Sequence, residues 1–394
     1  MNNATSRNCF LATARSYRSR ESAFHPRREP GDAKARDNDQ PPGVPIMTSC
    51  AIIKDNRYLE HRAGVDHPES PDRLHAINEV LDREFSSLPL IQPRLATEDE
   101  LALVHDPLYI QTVASTAGRM RAQLDPDTGT SSRSYEIARL AAGGLLNAVD
   151  ALLSSDASRL TVSSVFAFVR PPGHHAEADR AMGFCLFNNI AIAAEYAKQK
   201  YGLDRILIVD WDLHHGNGTQ HAFYDDPSVL YFSSHQFPYY PGSGNFDQVG
   251  MNAGAGFTVN APFPTGFGDA EYIHVYERIL RPIALEFKPQ LVLVSAGFDP
   301  YIKDPLGGMA VTGEGFGALA KIVQDIALRT CDSKVLLTLE GGYHPDGLRD
   351  GVRSVLNTLL GKPSPLPKKA PHTAADQVIE KIVNVQKNYW KILR

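Results

Sequence analysis

Two observations predict an α/β fold built around a mostly parallel sheet. From about residue 47 onward, strand-like apolar runs alternate with segments of helical periodicity, the pattern that βαβ units leave in a chain. Residues capable of chemistry then recur directly after four of those runs, at 170–175, 210–215, 297–300 and 340–343. In open α/β sheets that carboxyl edge is where ligands bind.

The elements follow in chain order. A helix is expected over 71–83, where Pro71 suits the first turn and Ser70 the N-cap. A second helix is expected over 135–154, then a strand at 164–169 that runs into Arg170-Pro171-Pro172-Gly173-His174-His175. Helix 189–201 leads to strand 205–209, and strands 229–232 and 256–259 follow. Helix 270–287, strand 291–295, helix 315–330 and strand 334–339 complete the alternation. Beyond a Pro/Lys-rich linker at 362–369, a final amphipathic helix is expected at about 373–393. Val378, Ile382, Val385 and Trp390 would dock it on the body.

Bulk properties bound the function. The 394 residues carry a formal net charge of −5, 43% hydrophobic and 22% charged residues, ordinary values for a chain that buries a large core. That charge gives no electrostatic case for direct nucleic-acid binding. No stretch approaches ~20 uninterrupted apolar residues, so no transmembrane helix is expected. The four cysteines, Cys9, Cys50, Cys185 and Cys331, lack paired spacing, which favours a reducing compartment such as the cytoplasm and argues against a cysteine zinc site. Residues 1–46 stand apart: Arg7, Arg15, Arg18, Arg20, Arg27 and Arg28 accumulate there, and no acid precedes Glu21. They read as a disordered extension or as sequence upstream of a start at Met47, with an organellar targeting segment as the alternative. The organisation expected is thus an extension at 1–46, a catalytic domain at 47–361, and the linker and helix at 362–394.

The run Asp210-Trp211-Asp212-Leu213-His214-His215-Gly216-Asn217 carries the strongest chemistry. Side chains two apart share a face of a strand, so Asp212 and His214 could point together and offer an oxygen and an imidazole to a divalent metal such as Zn2+. Asp299, after strand 291–295, is the leading third ligand, since catalytic zinc takes three protein ligands and keeps one position open. His174 and His175 could supply base and acid, and Asp210 is the spare carboxylate to orient one of them. Tyr343, after two glycines, could donate a hydrogen bond to a developing oxyanion.

These motifs, with Gly183-Phe184-Cys185-Leu186-Phe187-Asn188-Asn189 and Asp304-Pro305-Leu306-Gly307-Gly308, resemble the histone deacetylase family over about residues 50–360. Asn217, 304–308 and 339–343 are similar to class II enzymes and to bacterial acetoin-utilisation and acetylpolyamine amidohydrolases. The resemblance implies the three-layer arginase–deacetylase fold, with helices on both faces of the sheet. It implies one Zn2+ on Asp212, His214 and Asp299, catalytic His174, His175 and Tyr343, and supporting Asp210 and Asn217. His175 is favoured as general base over His174. Phe184 and Tyr240 would wall a substrate tunnel that the family usually closes with phenylalanine at the second position, and Leu306 would stand where polyamine-type relatives often carry an acid. Arg73 would line an acetate path, and Asp210 with Ser233 would contribute to a monovalent-cation site for K+. The reaction implied is hydrolysis of N-acetyl-lysine in a histone or other protein. Small N-acetyl amides or acetylpolyamines are the alternative substrates, and a silent acyl-lysine binder is a remote one. A dimetal ureohydrolase of the same fold would need carboxylates where this chain has Gly216, Phe298 and Tyr301.

Overall fold

Branched apolar runs make most of the strands of the main sheet. The strands are β1 (Cys50–Ile53), β2 (Ala122–Asp125), β3 (Thr128–Thr130), β4 (Ser164–Ala167), β5 (Ile206–Asp210), β6 (Val229–Gln236), β7 (Thr258–Phe263), β8 (Leu291–Ala296) and β9 (Val335–Leu339). Of these, β2 and β3 form a short polar hairpin. The computed structural model describes residues 50–154, 162–362 and 373–394, which all fall within the unit Met47–Arg394. The N-terminal extension and most of the linker expected from the sequence lie outside the described residues.

Seven strands form one sheet in the order β1-β4-β9-β8-β5-β6-β7, and every pairing in it is parallel. Its strands are buried along their whole length, as expected when helices cover both faces. From β5 the chain steps outward through β6 to β7, then returns to lay β8 and β9 on the other side of β5. The β5–β8 boundary is therefore a topological switch point, where a crevice opens at the carboxyl edge.

Several expected elements differ in extent. β6 runs past Phe232 to Gln236, because Ser233, Ser234 and His235 find buried partners and need no solvent. The strand expected at 256–259 is Thr258–Phe263. The edge strand β1, the antiparallel β2–β3 hairpin and the helix Pro345–Leu359 are additions to the pattern expected from the sequence. The helix expected over 270–287 divides into Asp269–Val275, a π-helical turn at Tyr276–Leu280, and Arg281–Phe287. Pro282 has no amide hydrogen to continue the ladder at that point.

The C-terminal helix is Thr373–Gln386, shorter than the 373–393 expected. Its apolar face, including Val378 and Ile382, packs on β7, the outer strand of the sheet. The Gln386 amide donates to the Thr258 carbonyl at 2.9 Å, and after the helix ends the Trp390 indole donates to the Gly256 carbonyl at 2.9 Å. Reaching that carbonyl turns the chain out of the helical path.

Candidate active site

The loops after β4, β9, β8 and β5 carry the candidate residues, and those four strands are consecutive in the sheet. Residues far apart in the chain therefore meet over a few strand widths. No helix among the described residues is long and apolar enough to cross a membrane.

β5 stops at Asp210, so Asp212 and His214 are not aligned by strand alternation as the sequence suggested. Two successive side-chain turns do it instead. The Asp212 amide donates to Asp210 Oδ1 at 3.1 Å, and the His214 amide donates to Asp212 Oδ1 at 2.9 Å. His214 Nδ1 then lies 3.2 Å from Asp212 Oδ1 and 3.1 Å from Asp299 Oδ2. Asp212, His214 and Asp299 each offer a ligand atom within 4.8 Å of the others. Ligand atoms on a tetrahedral zinc with bonds of about 2.0–2.1 Å sit about 3.3 Å apart, so this donor set and spacing fit zinc. Outer contacts fix the carboxylates: Asp299 Oδ1 accepts from the Leu213 amide at 2.9 Å and Asp212 Oδ2 from the Gly341 amide at 2.7 Å. A Cβ on Gly297 would stand 2.1 Å from Asp212 Oδ2, and one on Gly341 2.1 Å from Asp299 Oδ2. Only glycine lets both strand ends approach the trio.

The adjacent imidazoles do not diverge; their ring centres are 4.0 Å apart and both line the same cavity. His174 Nδ1 is 3.0 Å from Asp210 Oδ2, which also accepts from the Tyr231 hydroxyl at 3.0 Å. His174 Nε2 stands 3.7 Å from Asp212 Oδ1. Burial opposes charge on His174, but the carboxylates of Asp212, Asp210 and Glu340 outweigh it and push the imidazole up to about 10. His175 has a neutral partner, with Nδ1 2.8 Å from Asn217 Oδ1. Burial and then the positive neighbours His174 and His214 hold it well below the usual histidine range. The two imidazoles are thus biased to opposite charge states.

Glu340 has a larger part than its place in a loop motif suggested. Its fully buried Oε2 accepts from the Gly173 and His174 amides at 2.6 and 3.2 Å, and Oε1 from the Ser295 hydroxyl at 3.1 Å. It ties the loop after β9 to the one after β4. The available signal was a carboxylate at the end of an apolar strand, the same signal that marked Asp210.

Tyr343 lines the cavity, and its backbone amide and that of His344 donate to Asp304 Oδ2 at 2.7 and 3.1 Å. Burial pushes the Tyr343 hydroxyl well above the usual tyrosine range, so it stays a donor. Arg73 is not a surface residue of its helix. It is buried, donates through Nε to the Gly342 carbonyl at 2.7 Å and through Nη2 to the Glu340 carbonyl, and its guanidinium carbon lies 5.0 Å from the Tyr343 ring centre. Glu69 meets Arg73 Nη1 at 3.3 Å and Arg170 Nη2 at 2.8 Å; the sequence offered only the i,i+4 spacing of Glu69 and Arg73 as a sign of this cluster.

The cavity measures about 150 Å3, and Phe184, Tyr240, Leu306 and Asp127 line it with the residues above. Phe184 takes a left-handed backbone (φ 68°), a strained state for a bulky residue. The hairpin holds it there: Asp127 Oδ1 accepts from the Gly183 amide at 3.1 Å and Thr128 Oγ1 from the Phe184 amide at 3.0 Å. Sequence reasoning missed Asp127, because it missed the hairpin that presents it. The Tyr240 ring stands edge-on to His175, with centres 5.2 Å apart. Ser233 pairs in register with Asp210 across β5 and β6, and its hydroxyl lies 2.9 Å from His235 Nδ1. His215 points away from the trio, to Ser243 Oγ at 2.8 Å and Gln220 Oε1 at 3.1 Å.

A histone deacetylase domain model matches residues 67–359. The chain is 42% identical to human polyamine deacetylase HDAC10 over 365 residues, which cover 88% of this chain and 52% of that protein. It is 37% identical to histone deacetylase HDA1 of Candida albicans over 415 residues, 93% of this chain and 48% of the relative. The crystal structure of the HDA15 HD domain matches with a TM-score of 0.81 and 38% identity, covering 88% of this chain and 96% of that one. The chain spans about half the length of these two curated relatives.

Proposed function

The chain belongs to the histone deacetylase family, and from that premise we propose that it hydrolyses the amide of an N-acetyl-lysine side chain of a protein, giving free amine and acetate. The observation that carries the reading is the convergence of His214, His174, His175 and Tyr343 on one cavity, with Asp212 and Asp299 beside His214.

Zinc on Asp212, His214 and Asp299 would supply Lewis acidity toward the carbonyl and lower the pKa of water there toward ~7. His175, held neutral, takes the proton of the attacking water at Nε2, since Nδ1 is engaged by Asn217. Tyr343 donates its hydroxyl hydrogen bond to the developing oxyanion. His174, biased to imidazolium by Asp210, adds positive charge beside the same centre. The proton on His175 then passes to the departing amine. Arg73, behind Tyr343, offers acetate a countercharge on its way out.

We propose that Asp210 and Ser233, which pair in register across β5 and β6, contribute to a site for K+. His235 Nε2 donates to the Gly244 carbonyl at 2.8 Å, so its Nδ1 accepts the Ser233 hydroxyl hydrogen and leaves that oxygen's lone pairs for a cation. We assign residues 47–361 to the catalytic domain, 1–46 to an extension, and 362–394 to the linker and docking helix. The cytoplasm is the proposed compartment, with import through residues 1–46 as the alternative.

Leu306 at the cavity offers no charge to a second ammonium, which favours a neutral-stemmed acyl-lysine. Likeness to a protein named polyamine deacetylase, and the Asp127 carboxylate at the cavity, favour acetylpolyamines as a second reading. Zinc-loaded protein offered acetyl-lysine peptides, acetylpolyamines and small N-acetyl amides decides between them. Turnover of peptides above the others is expected. Higher turnover of polyamines would reverse the substrate order, and no hydrolysis of any amide by protein of full zinc content would end the enzyme reading.

A further inference from the structure

His175 can act as a base toward the cavity only if its Nδ1 carries the hydrogen and Nε2 the lone pair. Its partner is the side-chain amide of Asn217, and an amide does not fix that choice by itself. Turned one way, Oδ1 accepts from His175 Nδ1; turned the other way, Nδ2 donates to Nδ1 and forces the hydrogen onto Nε2. A carboxylate at this position, such as the Asp210 that serves His174, would accept in either orientation.

Three acceptors decide the orientation of Asn217. Its Nδ2 donates to Glu177 Oε1 at 2.6 Å, to the His175 carbonyl at 3.3 Å and to Met182 Sδ at 3.3 Å. The carbonyl contact is long and a thioether is a weak acceptor, so the short contact to a carboxylate dominates. Glu177 is buried, and it is kept ionised by His221, whose Nδ1 lies 2.9 Å from both carboxylate oxygens, with Arg180 Nη2 at 3.6 Å. Its backbone is also fixed, because the amide donates to the Arg180 carbonyl at 3.0 Å and the carbonyl accepts from His105 Nδ1 at 2.9 Å. His105 Nε2 accepts from the Asn188 amide at 2.8 Å, which leaves its hydrogen on Nδ1 for that purpose.

We propose that Glu177 is a positioning residue of the reaction, which orients the Asn217 amide and so fixes His175 in the tautomer with a free Nε2. It touches neither substrate nor metal and acts through two side chains. This rests on the deacetylase reading, for which His175 is the base.

The test is a cycle of Glu177→Leu and Asn217→Asp in the full-length chain. A leucine side chain cannot accept a hydrogen bond, so in Glu177→Leu kcat should fall by about 10–100-fold while KM and zinc content stay near parental values. Glu177→Gln keeps an acceptor oxygen and should restore most of kcat. In the Asn217→Asp background the amide choice no longer exists, so Glu177→Leu should cost nothing, or raise the rate by removing a like charge. An equal loss in both backgrounds would reduce Glu177 to a packing residue and overturn the proposal, as would an unchanged kcat in the single variant. The 15N shifts of the His175 ring supply a readout independent of turnover. Nδ1 should be protonated in the parent, and the tautomers should mix in Glu177→Leu. If the parent hydrolyses no amide, the deacetylase reading fails, while the ring shifts still report whether Glu177 sets the tautomer.

Discussion

Two buried ionic clusters lie on either side of Tyr343, and they are balanced in opposite ways. Around the trio, Asp210, Asp212, Asp299 and Glu340 crowd together, and among the described residues the ion pairs of Asp210, Asp212 and Asp299 are with imidazoles. Burial and then the Asp212 charge push Asp299 up to about 7, and burial pushes Glu340 up to about 7. Behind Tyr343, Glu69 is equally buried, yet the Arg170 and His61 contacts outweigh burial and hold it well below the usual carboxylate range. Arg73 and Arg170 leave that second cluster with an excess of positive charge. One cluster needs a cation to be complete; the other completes itself and lends its surplus charge to the Tyr343 loop.

The comparison can be broken most severely at the first cluster. Chelating the metal should bring hydrolysis to background and lower the melting temperature, with both restored by added zinc; Asp299→Ala should behave like the chelated protein and resist rescue. Glu69→Gln strikes the second cluster and should destabilise the fold by about 3–5 kcal/mol in urea unfolding, because two buried guanidinium groups lose their shared partner. The pH sign follows from the depressed native pKa of Glu69. Its contribution is full above its unfolded value of about 4.3 and is lost as pH falls through the lower native value, so Glu69→Gln should flatten the acid limb of the stability curve. Tyr343→Phe touches both clusters but carries no charge. It should keep its zinc and lose about 10²–10³ in kcat, and a rate unchanged from the parent would remove the oxyanion assignment. Tyr240→Phe lies outside both, where stability should move by no more than about 0.5 kcal/mol and any kinetic change should appear in KM.

Much of this was legible in the chain. Asp212, His214, Asp299, the His174–His175 pair and Tyr343 each follow an apolar strand directly, and glycine or proline beside them marks a chain forced into a close approach. What stayed hidden depends on partners far away in sequence. Arg170 belongs to a legible motif, but its pairing with Glu69, 101 residues earlier, is invisible until β1 and β4 lie side by side. Asp304 stands in a legible motif without an assigned role, and only the fold brings its carboxylate to the Tyr343 amide. The β2–β3 hairpin is too short to leave a periodic signal, so Asp127 stayed out of sight with it.

The order in which the sheet is threaded has a consequence for how the protein would acquire the proposed zinc. β5 and β8 are neighbours in space, yet two further strands and their connections are made between them. Asp212 and His214 leave β5 early, whereas Asp299 arrives only when β8 has inserted beside it. A chain refolding from denaturant, or still being synthesised, should hold zinc weakly until that late, long-range pairing is made. Tight zinc binding would then mark completion of the sheet.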